Sequence, residues 1–538
     1  MKKLVSRLMA VLMAMTMILS MSMTAFAAEA SKGTLTVNNT VAGKTLDLYQ
    51  IFTATKNGDN VAYTLNSAYE GFFKNNTRIP GSESLTGEAL SEKAYEYVKT
   101  QVGTDGKSGT GFAKEILGWI LENATTVATT HTTATTTAGS TVISGLEYGY
   151  YVVYPLGATD TSAAPGEQDY TSVASLVSVT GDTSINMKSN YPTVVKKVND
   201  KNADDVNIGD TVTYTLTSKV PDMTGYTSYV FNFKDTLSAG LTFKEITSVK
   251  VGETTITKVD AGQEADNTYT LTQDGQNITI TMNNFLASNK DNTGKEIKVT
   301  YTATLNKDAV TGFDANKNSA TVEYSNKPGT DNKGESEPSI VDVHTFNFTI
   351  FKYYLKDETK TGLANAEFEL YKANEAGDAA DTNAKINIVK VKDGEYRQAT
   401  PEEAAAEGFK SDVIVSGTDG KVLVKGLDAG TYYLRETKAP EGYNKLLSDI
   451  KVEIKANYDE TTGKLTSYSV DYTYNGTTTT GTEIKDTTTS PEVAVENKTG
   501  AQLPSTGSKG ALMVTLAGIV LFGALTASKA FGKKKANN

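Results

Sequence analysis

The sequence predicts a mainly β protein, a row of tandem β-sandwich domains of which the first carries added helices. Three observations lead there. Short strand-length runs, such as Leu46-Asp47-Leu48-Tyr49-Gln50-Ile51-Phe52 and Tyr150-Tyr151-Val152-Val153-Tyr154, recur along most of the chain, and period-two alternation marks a half-buried strand. Clusters of Gly, Asn and Asp interrupt these runs at the spacing expected of antiparallel sandwiches. Apolar residues at helical spacing occupy only two long stretches, Gly87 to Val102 and Phe112 to Asn123, both in the first third of the chain.

The two ends read as processing segments. Lys2, Lys3 and Arg7 precede an apolar stretch from Leu8 to Met23, and Ala25-Phe26-Ala27 has the small-x-small form of a signal-peptidase site. Residues 1–27 are therefore expected to be a signal peptide, with an uncleaved anchor as the alternative. Residues 501–538 hold Leu503-Pro504-Ser505-Thr506-Gly507, an apolar run from Ala511 to Ser528, and Lys533-Lys534-Lys535. A run of about 18 apolar residues can enter a bilayer, and the lysines hold the tail on the cytoplasmic side. The precursor is expected to pause at the membrane; an ordinary tail anchor is the competing reading.

Roughly 480 residues remain between these ends, enough for about three domains. There is no cysteine, so a chain sent outside the cell must be stapled by something other than disulfides. His131 and His344 are the only histidines, which argues against a histidine metal site or a Ser-His-Asp hydrolase. No metal or cofactor is expected. A net charge of -11 and a pI near 5.1 argue against nucleic acid as a partner.

The first segment, residues 28–190, is the β-rich one with helices; its threonine-rich stretch Thr125 to Thr141 reads as an exposed loop or edge strand. The middle segment, 191–344, alternates strongly, with turns at Asp200 to Asp205, Gly225, Gly252 and Asn289 to Gly294. The last segment, 345–500, is again all β except for one short helix at Thr400-Pro401-Glu402-Glu403, where Thr400 can cap and Pro401 can take the first helical position. No low-complexity linker separates the three.

Alternation sends every second side chain to one face, and six polar residues fall on apolar faces. Lys196 follows Pro192 and Val194, Asp235 follows Phe231 and Phe233, and Asn318 shares a face with Ala320, Val322 and Tyr324. Lys352 follows Phe346, Phe348 and Ile350; Glu436 follows Tyr432 and Leu434; Asn497 follows Val493 and Val495. Each set is one lysine, one acid and one asparagine. Either the pattern slips and all six face solvent, or each set is buried and must be compensated or chemically used.

Burial would supply the chemistry. Freeing the amine of an exposed lysine near neutral pH costs about 4 to 5 kcal/mol. An apolar core lowers an amine's pKa and raises a carboxylic acid's. The acid can then polarise the Asn carboxamide while the amine attacks its carbon and ammonia leaves, giving a Lys–Asn isopeptide bond. Such a site acts once. The expected bonds are Lys196 with Asn318 and Lys352 with Asn497, with Asp235 and Glu436 as the bond-forming acids. Each is expected to join the first strand of its segment to the last.

Three stretches carry a resemblance to a known family. Leu503-Pro504-Ser505-Thr506-Gly507, the apolar span and the basic tail resemble the LPxTG cell-wall sorting signal of Gram-positive surface proteins. Tyr433-Leu434-Arg435-Glu436-Thr437-Lys438-Ala439-Pro440-Glu441-Gly442-Tyr443 resembles the E-box of pilins, and the last segment is similar to collagen-adhesin B-type domains. The middle segment, from Tyr191-Pro192-Thr193-Val194-Val195-Lys196 to Asn318, resembles the fimbrial isopeptide-formation domain. The resemblance implies immunoglobulin-like sandwiches and a backbone pilin, secreted and attached to the cell wall. It implies as partners a sortase, identical subunits, peptidoglycan, and tip or base pilins. The sortase would cut after Thr506 and join it to a lysine of the next subunit. Family pilins carry that lysine in a YPK-like motif, whereas here Thr193 follows Tyr191-Pro192. Lys188, alternating with Ile185 and Met187, is the first candidate and Lys197 the second. A wall-anchored adhesin or minor pilin binding a host ligand is the rival function.

Overall fold

A computed structural model describes residues 31–103, 109–159, 173–187 and 190–499. The signal peptide, the sorting signal Leu503 to Gly507, the apolar run after it and Lys188 lie outside the described residues. Among the described residues no helix is long and apolar enough to cross a membrane. Strands dominate, as expected, and the chain divides into two compact units. One runs up to Thr345 and includes Asn457–Thr466; the other holds Phe346–Ala456 and the residues from Ser467 on.

In the first segment a sheet of Asn60–Leu65, Thr45–Asn57, Gly149–Pro155 and Ser175–Val179 has both faces covered. Helices Gly87–Val102 and Gly109–Glu122 pack Leu90, Ala94, Ile116 and Ile120 on one face. On the other, Leu35 and Val37 of the three-stranded sheet pack against Leu46, Leu48 and Val153. This explains why Gly149–Pro155 is buried at every position rather than at alternate ones. The second helix starts three residues before the expected Phe112. The threonine-rich stretch contributes the strand His131–Thr135, which pairs with Thr45–Asn57 and exposes Thr132 and Thr133.

The middle segment is a sandwich with one core. One sheet includes Val195–Val198, Thr211–Lys219, Glu296–Leu305 and Leu241–Val251; the facing sheet includes Phe231–Leu237, Asn316–Ser325 and Ser339–His344. A one-turn helix at Phe285–Asn289, too short to show a period, buries Phe285 against Phe231 with ring centroids 4.7 Å apart.

In the second unit, Phe346–Lys356 pairs antiparallel with Lys421–Leu427 on one side and parallel with Glu492–Glu496 on the other. The facing sheet contains Glu367–Ala373 and Gly430–Lys438. The short helix Pro401–Ala405 forms where expected. Thr400 accepts from the Glu403 backbone N–H while the Glu403 carboxylate accepts from the Thr400 N–H, a reciprocal cap.

Candidate functional site: two buried lysine–acid–asparagine clusters

All six polar residues picked out by alternation are inside. Lys196 is 1% exposed, Asp235 2%, Asn318 0%, Lys352 0%, Glu436 2% and Asn497 2%. A slipped, solvent-facing pattern is excluded. Among the described residues, Lys196 and Lys352 are the lysines buried in this way.

In the middle segment the cluster lies between the two sheets. Lys196 comes from Val195–Val198, whose neighbour Thr211–Lys219 sets it opposite Leu216. Asp235 and Asn318 come from adjacent strands of the facing sheet, where Asn318 pairs with Leu237. The Lys196 ammonium forms a very short ion pair with Asp235 Oδ2. Tyr301, on Glu296–Leu305, stands at the centre. Its hydroxyl accepts from Lys196 Nζ at 2.7 Å and from Asn318 Nδ2 at 2.8 Å, and donates to Asp235 Oδ2 at 2.7 Å. The Tyr214 ring stacks on Tyr301 at 5.1 Å, and Lys196 Nζ sits 4.9 Å from the Tyr214 centroid. Burial holds the Lys196 pKa below the ordinary lysine value although Asp235 opposes that shift, and burial raises the Tyr301 phenol well above its usual range. Asp235 Oδ1 and Asn318 Oδ1 have no hydrogen-bond partner.

Two inward asparagines lie on that strand, and their surroundings separate them. Asn316 is fully committed to the backbone: its Nδ2 donates to the carbonyls of Val310 and Val343 at 3.0 and 3.1 Å, and its Oδ1 accepts from the Val310 N–H at 3.0 Å. Gly240 is required beside it, because a Cβ there would meet Asn316 Oδ1 at 2.1 Å. Asn318 instead points its carboxamide at the lysine cluster.

In the last segment the lysine and asparagine lie on neighbouring strands of one sheet, and the acid comes from the sheet opposite. Lys352 pairs with Val495 in the parallel ladder, and the Asn497 N–H donates to the Tyr353 carbonyl at 2.8 Å. Lys352 Nζ lies 3.0 Å from Glu436 Oε1, and Asn497 Nδ2 donates to the same oxygen at 3.2 Å. The second carboxylate oxygen accepts from the Leu446 N–H at 2.8 Å. Burial pushes the Lys352 pKa down to about 8, with Glu436 opposing the shift. Past the acid, the Tyr443 ring meets Tyr354 of the first strand at a tilt, with centroids 5.5 Å apart, and the Asn444 N–H donates to the Lys498 carbonyl, just beyond the last strand, at 3.0 Å.

One expectation is corrected. Glu492–Glu496 is the last strand of its segment and lies beside the first, as expected. Asn316–Ser325 is not the last strand of the middle segment: the chain turns back through Lys333–Glu335, and Ser339–His344 pairs with it antiparallel. Two short strands therefore separate the one that carries Asn318 from the segment's end. The residue missed from sequence was Tyr301. Its only signal was an inward position opposite Tyr214, which an ordinary core tyrosine shares. Of the acceptor candidates, Lys197 points away from the core and donates to Asn202 Oδ1 at 2.6 Å.

Residues 208–328 match the family model described as Gram-positive pilin backbone subunit 2, Cna-B-like domain. Residues 349–468 match a second model, SpaA, a prealbumin-like fold domain. The pilin backbone match contains Asp235, Tyr301 and Asn318, and the SpaA match contains Lys352 and Glu436. The trypsin-resistant surface T6 protein of Streptococcus pyogenes serotype M6 is 26% identical over 328 residues, 55% of this chain and 51% of that protein. Fimbrial subunit type 2 of Actinomyces naeslundii is 30% identical over 268 residues, 46% of this chain and 48% of that protein. The matched region thus spans about half the length of these curated relatives. Among solved structures, the T6 backbone pilin of S. pyogenes aligns at TM-score 0.45 with 17% identity, covering 88% of this chain and all of that one. The BcpA major pilin of Bacillus cereus aligns at TM-score 0.36 with 17% identity, covering 87% of this chain and all of that one.

Proposed function

We propose that this chain is the structural subunit of a covalently polymerised Gram-positive pilus shaft. A sortase cleaves after Thr506 and joins it to a lysine of the next subunit, and the finished fibre is attached to peptidoglycan. The observation that carries this reading is the pair of fully buried Lys–acid–Asn clusters in a chain with pilin-family domains and no cysteine. In each, the neutral amine attacks the Asn carboxamide and expels ammonia, so Lys196–Asn318 and Lys352–Asn497 become covalent clamps. The precursor is held transiently in the membrane by the apolar run after the sorting signal.

The acceptor is Lys188, just ahead of the middle segment, so that load runs from Lys188 through both clamped segments to Thr506 and leaves the first segment outside its path. Tandem mass spectrometry of fibres from the native cell surface is expected to find a branched peptide joining Thr506 to Lys188. A branch at Lys197 or another lysine sinks that assignment, and fibres without a Thr506 branch sink the polymer itself. Antibody labelling along the whole fibre is the expected pattern for a shaft. Labelling confined to the tip or base would favour the adhesin or minor pilin.

The amine must be neutral to attack, which sets the pH dependence. With the Lys352 pKa lowered from 10.5 to about 8, about one amine in ten is neutral at pH 7, against fewer than about one in a thousand for an exposed lysine. The rate of ammonia loss from the last segment, followed by mass after cell-free synthesis, is expected to climb with pH through 8 and then level off. A rate flat through that range would contradict the mechanism.

A further inference from the structure

We propose that Tyr301 is a catalytic residue of the middle segment, the relay that carries a proton from the attacking nitrogen to the leaving one. The inference rests on the isopeptide reading above and adds a component that the last segment lacks.

The two clusters bridge their nitrogens differently. In the last segment a single carboxylate oxygen, Glu436 Oε1, contacts both Lys352 Nζ and Asn497 Nδ2, at 3.0 and 3.2 Å. The acid itself can pass a proton between them. In the middle segment Asp235 reaches Lys196, but the atom shared by the two nitrogens is the Tyr301 hydroxyl, at 2.7 Å from Nζ and 2.8 Å from Nδ2. Both distances are within the reach required of a general acid–base group. The phenol is fully buried and stacked on Tyr214, so its oxygen is held in place.

The ammonium first passes one proton to Asp235 Oδ2 across their ion pair; from the neutral amine, formation of the bond requires one proton to leave Nζ and one to reach Nδ2. As Nζ bonds to Asn318 Cγ, the carboxamide nitrogen loses its conjugation and becomes basic. The Tyr301 O–H turns from Asp235 to Nδ2 and gives up its proton while its oxygen takes one from Nζ. The Cγ–Nδ2 bond then breaks, ammonia departs, and the phenol is restored. Asp235, holding the proton taken from the ammonium, is the acid that offsets the negative charge developing on Asn318 Oδ1; Asp235 Oδ1 and Asn318 Oδ1 are the atoms of these two residues left without partners. Burial, which raises the phenol well above its usual range, suits a relay that must stay neutral before and after the event.

Tyr301→Phe removes one oxygen and keeps the ring. In the full chain made by cell-free synthesis, loss of the middle-segment ammonia is expected to slow by roughly 10²-fold or more, while the last segment loses its ammonia at the unchanged rate. Wild-type protein that never loses two ammonia molecules would overturn the isopeptide reading itself. Wild type losing two, with Tyr301→Phe also losing two at the same rates, would overturn the relay alone. Folding is judged against Asn318→Ala, which cannot form the bond whatever Tyr301 does, by protease resistance of the middle segment. Should Tyr301→Phe fold less well than that control, biosynthetic replacement of tyrosine by a fluorotyrosine of lower phenol pKa provides the second measurement. The middle-segment rate is expected to change and the last-segment rate to hold; no change in their ratio would overturn the relay.

Discussion

Replacing Glu436 by alanine is expected to restore one ammonia to the intact mass of the folded chain and to lower the melting temperature of the last segment by roughly 10–20 °C. The mass follows from chemistry: without the acid, Lys352 and Asn497 remain separate side chains. The temperature follows from the loop the bond closes, which holds about 145 residues. By analogy with a disulfide, closing a loop of that length contributes about 5 kcal/mol, comparable to the whole stability of many domains. Each kcal/mol is worth roughly 2–4 °C in a domain of this size. Removing Asp235 is expected to do the same to the middle segment, whose loop holds about 120 residues. Folded wild type whose mass equals its processed sequence would overturn both clusters together. Glu436→Gln separates chemistry from packing, because it keeps the side-chain volume while removing the acid. It should restore the same ammonia.

The second large effect is mechanical. A chain held by handles at Asn190 and Thr499 and pulled is expected to show no step as long as either clamped loop. In Asp235→Ala the middle loop is free, and a new step of roughly 400 Å should appear, about 3.4 Å for each released residue. Wild type giving steps of that length would show that the clamps are not formed or do not bear load. The position of Asn318 adds a finer expectation. Residues from Ser319 to Thr345 lie beyond the middle clamp, and Ser339–His344 is held to its neighbours by a hydrogen-bonded ladder and packing. The bonded wild type should therefore still yield one short extension of roughly 90 Å from this stretch, whereas the last segment, clamped from first strand to last, should yield none.

Much of this was legible in the sequence because burial and alternation are the same fact seen from two sides. A strand pattern with one lysine on its apolar face left few explanations, and the matching acid and asparagine in two separate sets fixed all six positions. The long helix Gly87–Val102 was equally plain from its period. What stayed hidden did so for physical reasons. Glu70–Phe73 and Phe285–Asn289 are single turns, shorter than the window in which a helical period can be recognised. Tyr301 was invisible as a functional residue because an inward tyrosine is ordinary core until the atom at the end of its ring is seen to touch Lys196, Asp235 and Asn318 together. The Leu446 N–H that holds Glu436 is a backbone group, on which side-chain patterning is silent. The strand carrying Asn318 was read as the last of the middle segment, because alternation alone does not show that Ser339–His344 returns to pair with it.

The parallel pairing of Phe346–Lys356 with Glu492–Glu496 has a consequence for the time before the bond exists. Two strands running the same way admit the chain at one end and release it at the other, so a pull along the chain slides them past one another. All their hydrogen bonds then resist at once, as in a lap joint, where an antiparallel final strand would be peeled away one bond at a time. The joint is loaded in its strong direction from the moment it folds. Lys352 and Asn497 sit at its far end, in the place where an engineer would set the rivet.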